Sequence, residues 1–429
     1  MLVGNFITPT VMDRYGRKVA HVAVSLPAIF SWLLLAIADN PEMLIFARFL
    51  QGLSAGLMLP LRSVLVSEYS SPKYRGGFLT TISLAQGVGI FLIHVVGSLL
   101  SWQRTSVICG VASFLCLVMA FFLPESPSWL AVKGKYEESR KAYRWLRGDN
   151  EESELEELIR SRIMLRVDIE RQKGSRVKRL TTIRNDLKKR EFYLPIIITA
   201  HCYMMINVCG NITMPAFSVV IIRIMVSPTA NAHALMIVLD SLRIIANVIA
   251  VFIIYKFKRR TILFSTGALC VIVHIAIATY VYAKENEILY YDEIWIPCSL
   301  LAFQFLCIGI GMVPMPSVIA GEVIPLQFRS IISSIGVVVL TVFMFIILKS
   351  FPLLVDSIYL SGTYWIYAGI LIYVLSVLWF VLPETSGKTL QEIEEEMKQK
   401  HLPVEDEAEV NLQSERIDKS ENGESTLRS

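Results

Sequence analysis

The chain has 429 residues, of which 54% are hydrophobic and only 18% charged, with a formal net charge of +4. So few charges cannot coat the surface of a soluble globule, which excludes an ordinary water-soluble protein and makes a bundle of membrane-spanning helices the first reading. The small net charge gives no reason to expect a nucleic-acid partner, and its distribution along the chain says more than its sum.

In chain order, Leu2–Met12 is apolar but, at about 11 residues, too short to cross a bilayer, which takes about 20. It reads as the end of a helix running towards the cytoplasm. The first residues have neither the basic region nor the small-residue cleavage site of a leader, so none is expected to be removed. About ten longer apolar runs follow, near 19–38, 43–66, 77–100, 105–123, 193–222, 232–255, 261–282, 294–318, 331–355 and 363–382. Alternate loops between them differ in charge. One set holds Arg14, Arg17 and Lys18, then Lys73 and Arg75, then a basic stretch from Lys133 to Arg190, then Lys256, Lys258, Arg259 and Arg260, then Arg329; the other holds little beyond Arg104, Arg223 and Lys284. Basic loops are retained in the cytoplasm during insertion, so the first set and the carboxyl terminus are expected there.

The segment 131–191 separates two groups of spans. Tyr136, Ala142, Leu146, Leu155, Leu158 and Ile159, spaced among many charges, suit amphipathic helices lying against the membrane. From about His401 the chain is polar and without a hydrophobic period, and reads as disordered. The expected organisation is an amino-terminal helical half over 1–130, linker helices over 131–191, a carboxyl-terminal half over 192–382 and a tail over 383–429.

Three signatures recur in the same order in both halves. Asp13-Arg14-Tyr15-Gly16-Arg17-Lys18 matches Lys256-Phe257-Lys258-Arg259-Arg260. Glu68 is followed seven residues later by Arg75, and Glu322 by Arg329. Pro124-Glu125-Ser126-Pro127 matches Pro383-Glu384-Thr385-Ser386 at the close of each half. Three motifs in register indicate a parallel internal repeat. Together with Arg48-Phe49-Leu50-Gln51-Gly52 and Trp145-Leu146-Arg147-Gly148, they resemble the sugar-porter branch of the major facilitator superfamily, and within it the insect facilitated trehalose transporters.

The resemblance covers the chain from Asp13 to about Met397. It implies an all-α polytopic membrane protein with two six-helix halves, here lacking the first helix and part of the second. It also implies transport of a sugar, trehalose or a hexose, by alternating access, commonly at the plasma membrane, with no cofactor and no bound metal. On this reading Asp13, Arg14, Gly16, Arg17, Arg48, Glu68, Arg75, Glu125, Arg259, Arg260, Glu322, Arg329 and Glu384 are gating residues, whose charges are expected to pair across the two halves in one conformation and part in the other.

The sugar site implied by the family departs from its usual composition. The seventh-helix stretch reads Ile206-Asn207-Val208-Cys209-Gly210-Asn211, leaving Asn207 and Asn211 as its amides; the usual tenth-helix tryptophan falls at Ser317, and a fifth-helix glutamine at Ser83. The second half lacks the acidic residue and the glycine of its first loop motif, and Pro9 stands where the first half usually has its leading glycine. Asp240 and Arg243 stand three apart on one helical face inside a span, where charges are costly, and read as a pair that neutralises itself or as charges facing water near the helix end. Arg243 falls where the family has a cavity-lining amide, which makes it a candidate substrate contact. Arg62 poses the same question nearer the cytoplasm.

His94, His201 and His274 fall in spans without carboxylates at helical spacing and read as packing or water-facing residues. The seven cysteines are in no metal-binding pattern and read as buried thiols. Asn211-Ile212-Thr213 matches a glycosylation sequon inside a span, where no glycan can be attached. No phosphate loop or catalytic constellation suggests an enzyme. Two readings compete with a sugar carrier: a non-transporting sensor of the same fold, and a carrier of another, anionic solute bound at Arg243.

Overall fold

The computed structural model describes residues 1–70, 75–148, 155–156, 159–160, 190–289, 293–325, 329–386 and 393; the side chains of residues 63, 67, 75, 76, 191, 255, 329 and 330 are outside this description. Most of the linker, including Leu158, and the tail beyond Ser386 therefore lie outside the described residues, save Ile393.

The first group of helices comprises α1 (Leu2–Tyr15), α2 (Arg17–Ala36), α3 (Pro41–Tyr69), α4 (Arg75–Leu99) and α5 (Trp102–Phe122). Two short helices follow, α6 (Pro127–Val132) and α7 (Tyr136–Arg147). The second group begins with α8 (Arg190–Ile206), which passes through a wide π-turn at Asn207–Asn211 into α9 (Thr213–Met225). After α10 (Ala232–Lys256) and α11 (Arg259–Glu285), α12 (Trp295–Cys307) passes through a second π-turn, Ile308–Met312, into α13 (Pro314–Val323), and α14 (Arg329–Val381) ends the group.

Among the described residues nine helical stretches are long and apolar enough to cross a membrane. The last of them, Ile331–Val381, has 51 residues and would reach about 76 Å if straight, more than twice a hydrocarbon core. It breaks at Ile358 and Tyr359, the latter at φ 61°. Phe351 and Tyr364, on either side of the break, both meet one turn of α9: Phe351 stacks on Phe217 at 4.8 Å and the Tyr364 hydroxyl lies 3.6 Å from Met214 Sδ. The chain therefore doubles back, and the nine stretches make the ten crossings expected from the apolar runs. Large side chains point outward along their length, among them Phe46, Phe121, Phe252, Phe345 and Phe380. A band of this kind is stable only against lipid.

Packing inside the groups follows side-chain size. In the first, small residues let backbones approach: a Cβ on Gly4 would collide with the backbone of Leu53, Gly56 and Leu57, so α1 lies directly on α3. The Thr8 hydroxyl donates to Leu57 O at 3.1 Å and Ser54 to Val24 O at 2.8 Å, tying α1, α2 and α3. The second group has a large apolar core of Met205, Met214, Ile221, Phe305, Leu371 and their neighbours. Beside the first group, Tyr143, Ala131, Leu155 and Ile159 close a small cluster with Tyr136 on its edge, the amphipathic pattern read from the sequence.

Four of the seven cysteines are buried, but Cys116 faces outward and Cys109 and Cys298 are half-buried, so not all are core thiols. All three lie on spans, where an apolar environment can be lipid as well as protein.

Candidate functional site

At the basic end of the first group the chain turns from α1 into α2 on a single residue, Gly16, whose φ of 96° suits glycine alone. Its bare Cα faces Glu125, and any Cβ there would overlap that carboxylate. Glu125 caps α2, accepting from Arg17 N at 2.8 Å and Lys18 N at 3.2 Å, where a helix start offers free N–H groups and positive potential. The Arg17 side chain crosses to α3, donating from Nε and Nη2 to Glu68 at 2.7 and 2.6 Å, and its Nη1 caps α1 at Met12 O, 3.0 Å away. Lys18 Nζ reaches Phe121 O at 2.6 Å. Tyr69 donates to Pro124 O at 2.8 Å; burial, then the Glu125 and Glu68 carboxylates, push its phenol up from the ordinary range.

The second group repeats the plan of this construction. Glu384 accepts from Arg259 N at 3.1 Å and Arg260 N at 3.3 Å, capping α11. Arg259 Nη2 faces Glu322 Oε1 at 3.4 Å while its Nη1 caps α10 at Ile254 O, 2.6 Å. Arg260 Nη2 reaches Trp379 O at 2.8 Å. Ser386 N donates to Glu384 as Ser126 N does to Glu125. Thr385 adds a bond of 2.6 Å to Glu322.

Two expectations change here. The pairs Arg17–Glu68 and Arg259–Glu322 each lie within one group, where pairing across the groups was expected, because each arginine sits one turn from the end of a neighbouring helix of its own group. Arg48 stands 20 residues before Glu68, about 30 Å away along α3, and among the described residues bonds Gln51 of its own helix at 3.0 Å, away from the network. Asp13 enters through its carbonyl, which accepts from Trp129 Nε1 at 3.1 Å, and Arg14 covers the Tyr15 ring at 5.3 Å. Arg75 and Arg329 open α4 and α14, with their side chains outside the described residues.

Midway along the bundle the second group is interrupted twice, and the interruptions touch. Gly210 in the first π-turn has φ 101°. In the second, Val313 N bonds Ile308 O five residues back at 3.2 Å, just before Pro314, which has no N–H to continue the helix. Carbonyls released by such turns need partners inside a membrane. Gln304 supplies one, donating to Cys209 O at 3.3 Å while accepting from the Tyr364 hydroxyl at 3.2 Å. Its role was not read from the sequence, although a glutamine inside an apolar run was the available signal.

Asn211 accepts from Arg243 Nη2 at 2.5 Å, and Asn207 donates to Tyr203 O at 2.8 Å and, at 3.5 Å, to Leu340 O of α14. Arg243 is 2% exposed and Asp240 1%. They do not pair: Asp240 instead meets His94 Nδ1 of α4 at 2.5 Å, because both line the contact between α4 and α10. His94 is therefore not a lone packing residue. His201 and His274 do pack, each bonding a carbonyl one turn back and lying against Tyr373 and Tyr364.

Further along the same contact Asn247 Nδ2 lies 3.4 Å from Ser83 O, so Ser83 contributes its carbonyl, and a Cβ on Gly87 would press on Asn247. Ser317 is half-buried in the first turn of α13. Arg62 lies near Tyr203. On the other side Asn5 of α1 donates to Thr341 of α14 at 2.9 Å. The two groups thus meet along two polar seams. Asn5 Oδ1 and Asn247 Oδ1 in these seams, and Asn207 Oδ1 and Arg243 Nε inside the second group, are buried with no hydrogen-bond partner among the described residues.

The proton:xylose symporter XylE bound to 6-bromo-6-deoxy-D-glucose has a similar structure, with a TM-score of 0.74 at 19% identity over 92% of this chain and 86% of that one. The partially occluded inward open form of XylE from E. coli gives 0.70 at 17% identity, covering 90% and 86%. The fold is that of the major facilitator superfamily, and the two groups of helices are its halves. The chain also matches the family model "Sugar (and other) transporter" over residues 1–397, and it belongs to that family. The facilitated trehalose transporter of Bombyx mori is 28% identical over 393 residues, 92% of this chain and 76% of the relative. That of Drosophila mojavensis is 26% identical over 396 residues, and there the chain spans less than half the relative's length, 45%.

Proposed function

We propose that this chain carries a sugar, trehalose or a hexose, across a membrane by rocking of its two halves about a central polar site. The basic end of the bundle faces the cytoplasm, the carboxyl terminus lies on that side, and the plasma membrane is its location. The observation that carries this reading is the network built twice. Each arginine–glutamate cluster ties helix ends within its own half, while among the described residues the halves meet along the α4–α10 and α1–α14 seams without such a clasp between them. Two internally clasped bodies that meet along separable seams are what alternating access requires.

The orphan atoms support the cargo. Asn207 Oδ1 and Asn247 Oδ1 are acceptors and Arg243 Nε is a donor, and a sugar hydroxyl both donates and accepts. Buried polar atoms without partners each cost about 1–3 kcal/mol, a cost that binding a polyol removes. In this reading Asn207, Asn211, Arg243 and Asn247 hold hydroxyls, Ser83 and Ser317 edge the site, and Gln304 keeps the first π-turn open. The trehalose transporters among its relatives and the two broken helices point to the same solute class. Uptake of radiolabelled trehalose and glucose into proteoliposomes tests it: saturable accumulation, competed by the unlabelled sugar, is expected, and binding without entry would make the chain a sensor.

A further inference from the structure

The sugar reading leaves one buried ion pair unused. His94 and Asp240 are 146 residues apart, on different halves, and meet at 2.5 Å along the α4–α10 seam. The seam is antiparallel, and the pair lies five residues from the end of α4 and eight from the start of α10, in the part of the seam remote from the basic end. Asp240 is sealed, but His94 is 15% exposed at its side chain and lines a cavity of about 280 Å³ with Ser98, Ser218 and His233. His94 Nδ1 faces the carboxylate, which leaves Nε2 as the atom that takes or gives a proton.

We propose that the His94–Asp240 pair is a proton-binding site bridging the two halves, and that its occupation ties α4 to α10 and slows the carrier. A proton from the cavity adds to Nε2, making an imidazolium whose Nδ1–H is donated to the Asp240 carboxylate. That charge-assisted bond is stronger than one from neutral imidazole. When the seam parts, His94 loses the carboxylate to which its imidazolium donates. The protonated pair therefore exists only while the seam is joined, and acidification favours that state.

The surroundings make the site responsive. Arg243 stands one turn along α10 from Asp240. Its guanidinium is engaged by Asn211. α9 brings Ser218 to the cavity and no ionisable side chain before Arg223; α4 has no other ionisable residue from Gly77 to Leu99. α3, packed on α4, carries Glu42, Arg48, Arg62 and Glu68, and α5, also packed on it, Arg104 and two cysteines; the π-turn and α13 behind α10 follow Cys307 and end at Glu322, which is bonded to Arg259 and Thr385. His233 shares the cavity and is the control.

The test rests on the carrier reading and is chosen to separate the two. The full chain in proteoliposomes, with equal pH on both sides, should exchange radiolabelled trehalose at least threefold more slowly at pH 5.5 than at 7.5, whereas His94→Gln should be flat and close to the wild-type rate at 7.5. His233→Gln should keep the wild-type slope. A flat wild type, or an unchanged slope in His94→Gln, overturns the proposal. Should no variant exchange sugar at any pH, the carrier reading fails, and melting in detergent decides the proton site alone. The melting temperature of the wild type, measured against His94→Gln and against the isosteric Asp240→Asn, must then rise on acidification from 7.5 to 5.5; parallel curves refute the site.

Discussion

The two loop networks are built alike but not equally well, and that inequality can be measured. Arg17 grips Glu68 with two bonds of 2.6 and 2.7 Å, side chains 11% and 13% exposed, whereas Arg259 meets Glu322 once, at 3.4 Å, with 15% and 25% exposed. Removing one partner from a fully buried pair costs about 3–5 kcal/mol, and from an exposed pair about 1 kcal/mol or less. The first pair, nearly enclosed and bidentate, belongs near 2 kcal/mol, and the second near 1 kcal/mol after solvent screening. The isosteric changes Glu68→Gln and Glu322→Gln remove the charge and keep the volume. At about 2–4 °C per kcal/mol for a unit of this size, the first should lower the melting temperature of the purified protein by about 4–8 °C and the second by about 2–4 °C. Thermal unfolding in detergent, followed by intrinsic fluorescence, measures both. Equal losses, or a larger loss at Glu322, would refute the claim that pair geometry sets the strength of each clasp.

Gly210→Ala places a Cβ 2.6 Å from Gln304 Nε2 on a backbone at φ 101°, and should cost about 2 kcal/mol or more in the same melting assay. Gln304→Leu uncovers Cys209 O and leaves the Tyr364 hydroxyl the weak acceptor Met214 Sδ alone, for a loss of about 1–3 kcal/mol. Arg243→Gln should raise the KM for sugar uptake about 10–100-fold, the worth of a hydrogen bond from a charged donor. A variant that melts early with an unaltered KM would make Arg243 a structural residue instead.

What the sequence revealed was what is local. The apolar runs, the short loops and the glutamates at fixed distance from arginines are patterns over a few residues, and the ten crossings and the members of both loop networks emerged from them. The direction of pairing did not. Arg17 reaching Glu68 in its own half, and not a partner in the other, depends on how α2 lies against α3. The Asp240–Arg243 pair failed for the same reason: helical spacing permits it, but His94 arrives from 146 residues away and takes the carboxylate. Arg48 was grouped with the loops by motif, although its place along α3 sets it near the opposite end. The π-turns were signalled only by Gly210 and by Pro314 and Pro316, which mark a break without giving its shape.

Alternating access is the central claim, and spin-label distances across the two ends of the bundle test it most directly. Labels at Tyr15 and Phe257, exposed at the basic ends of the two halves, report one mouth; labels at Leu99 and Thr229 report the other. On adding trehalose to the protein in nanodiscs, the two distance distributions should shift in opposite senses, one mouth closing as the other opens. Two distributions that stay fixed at saturating sugar, or that move together, would contradict it.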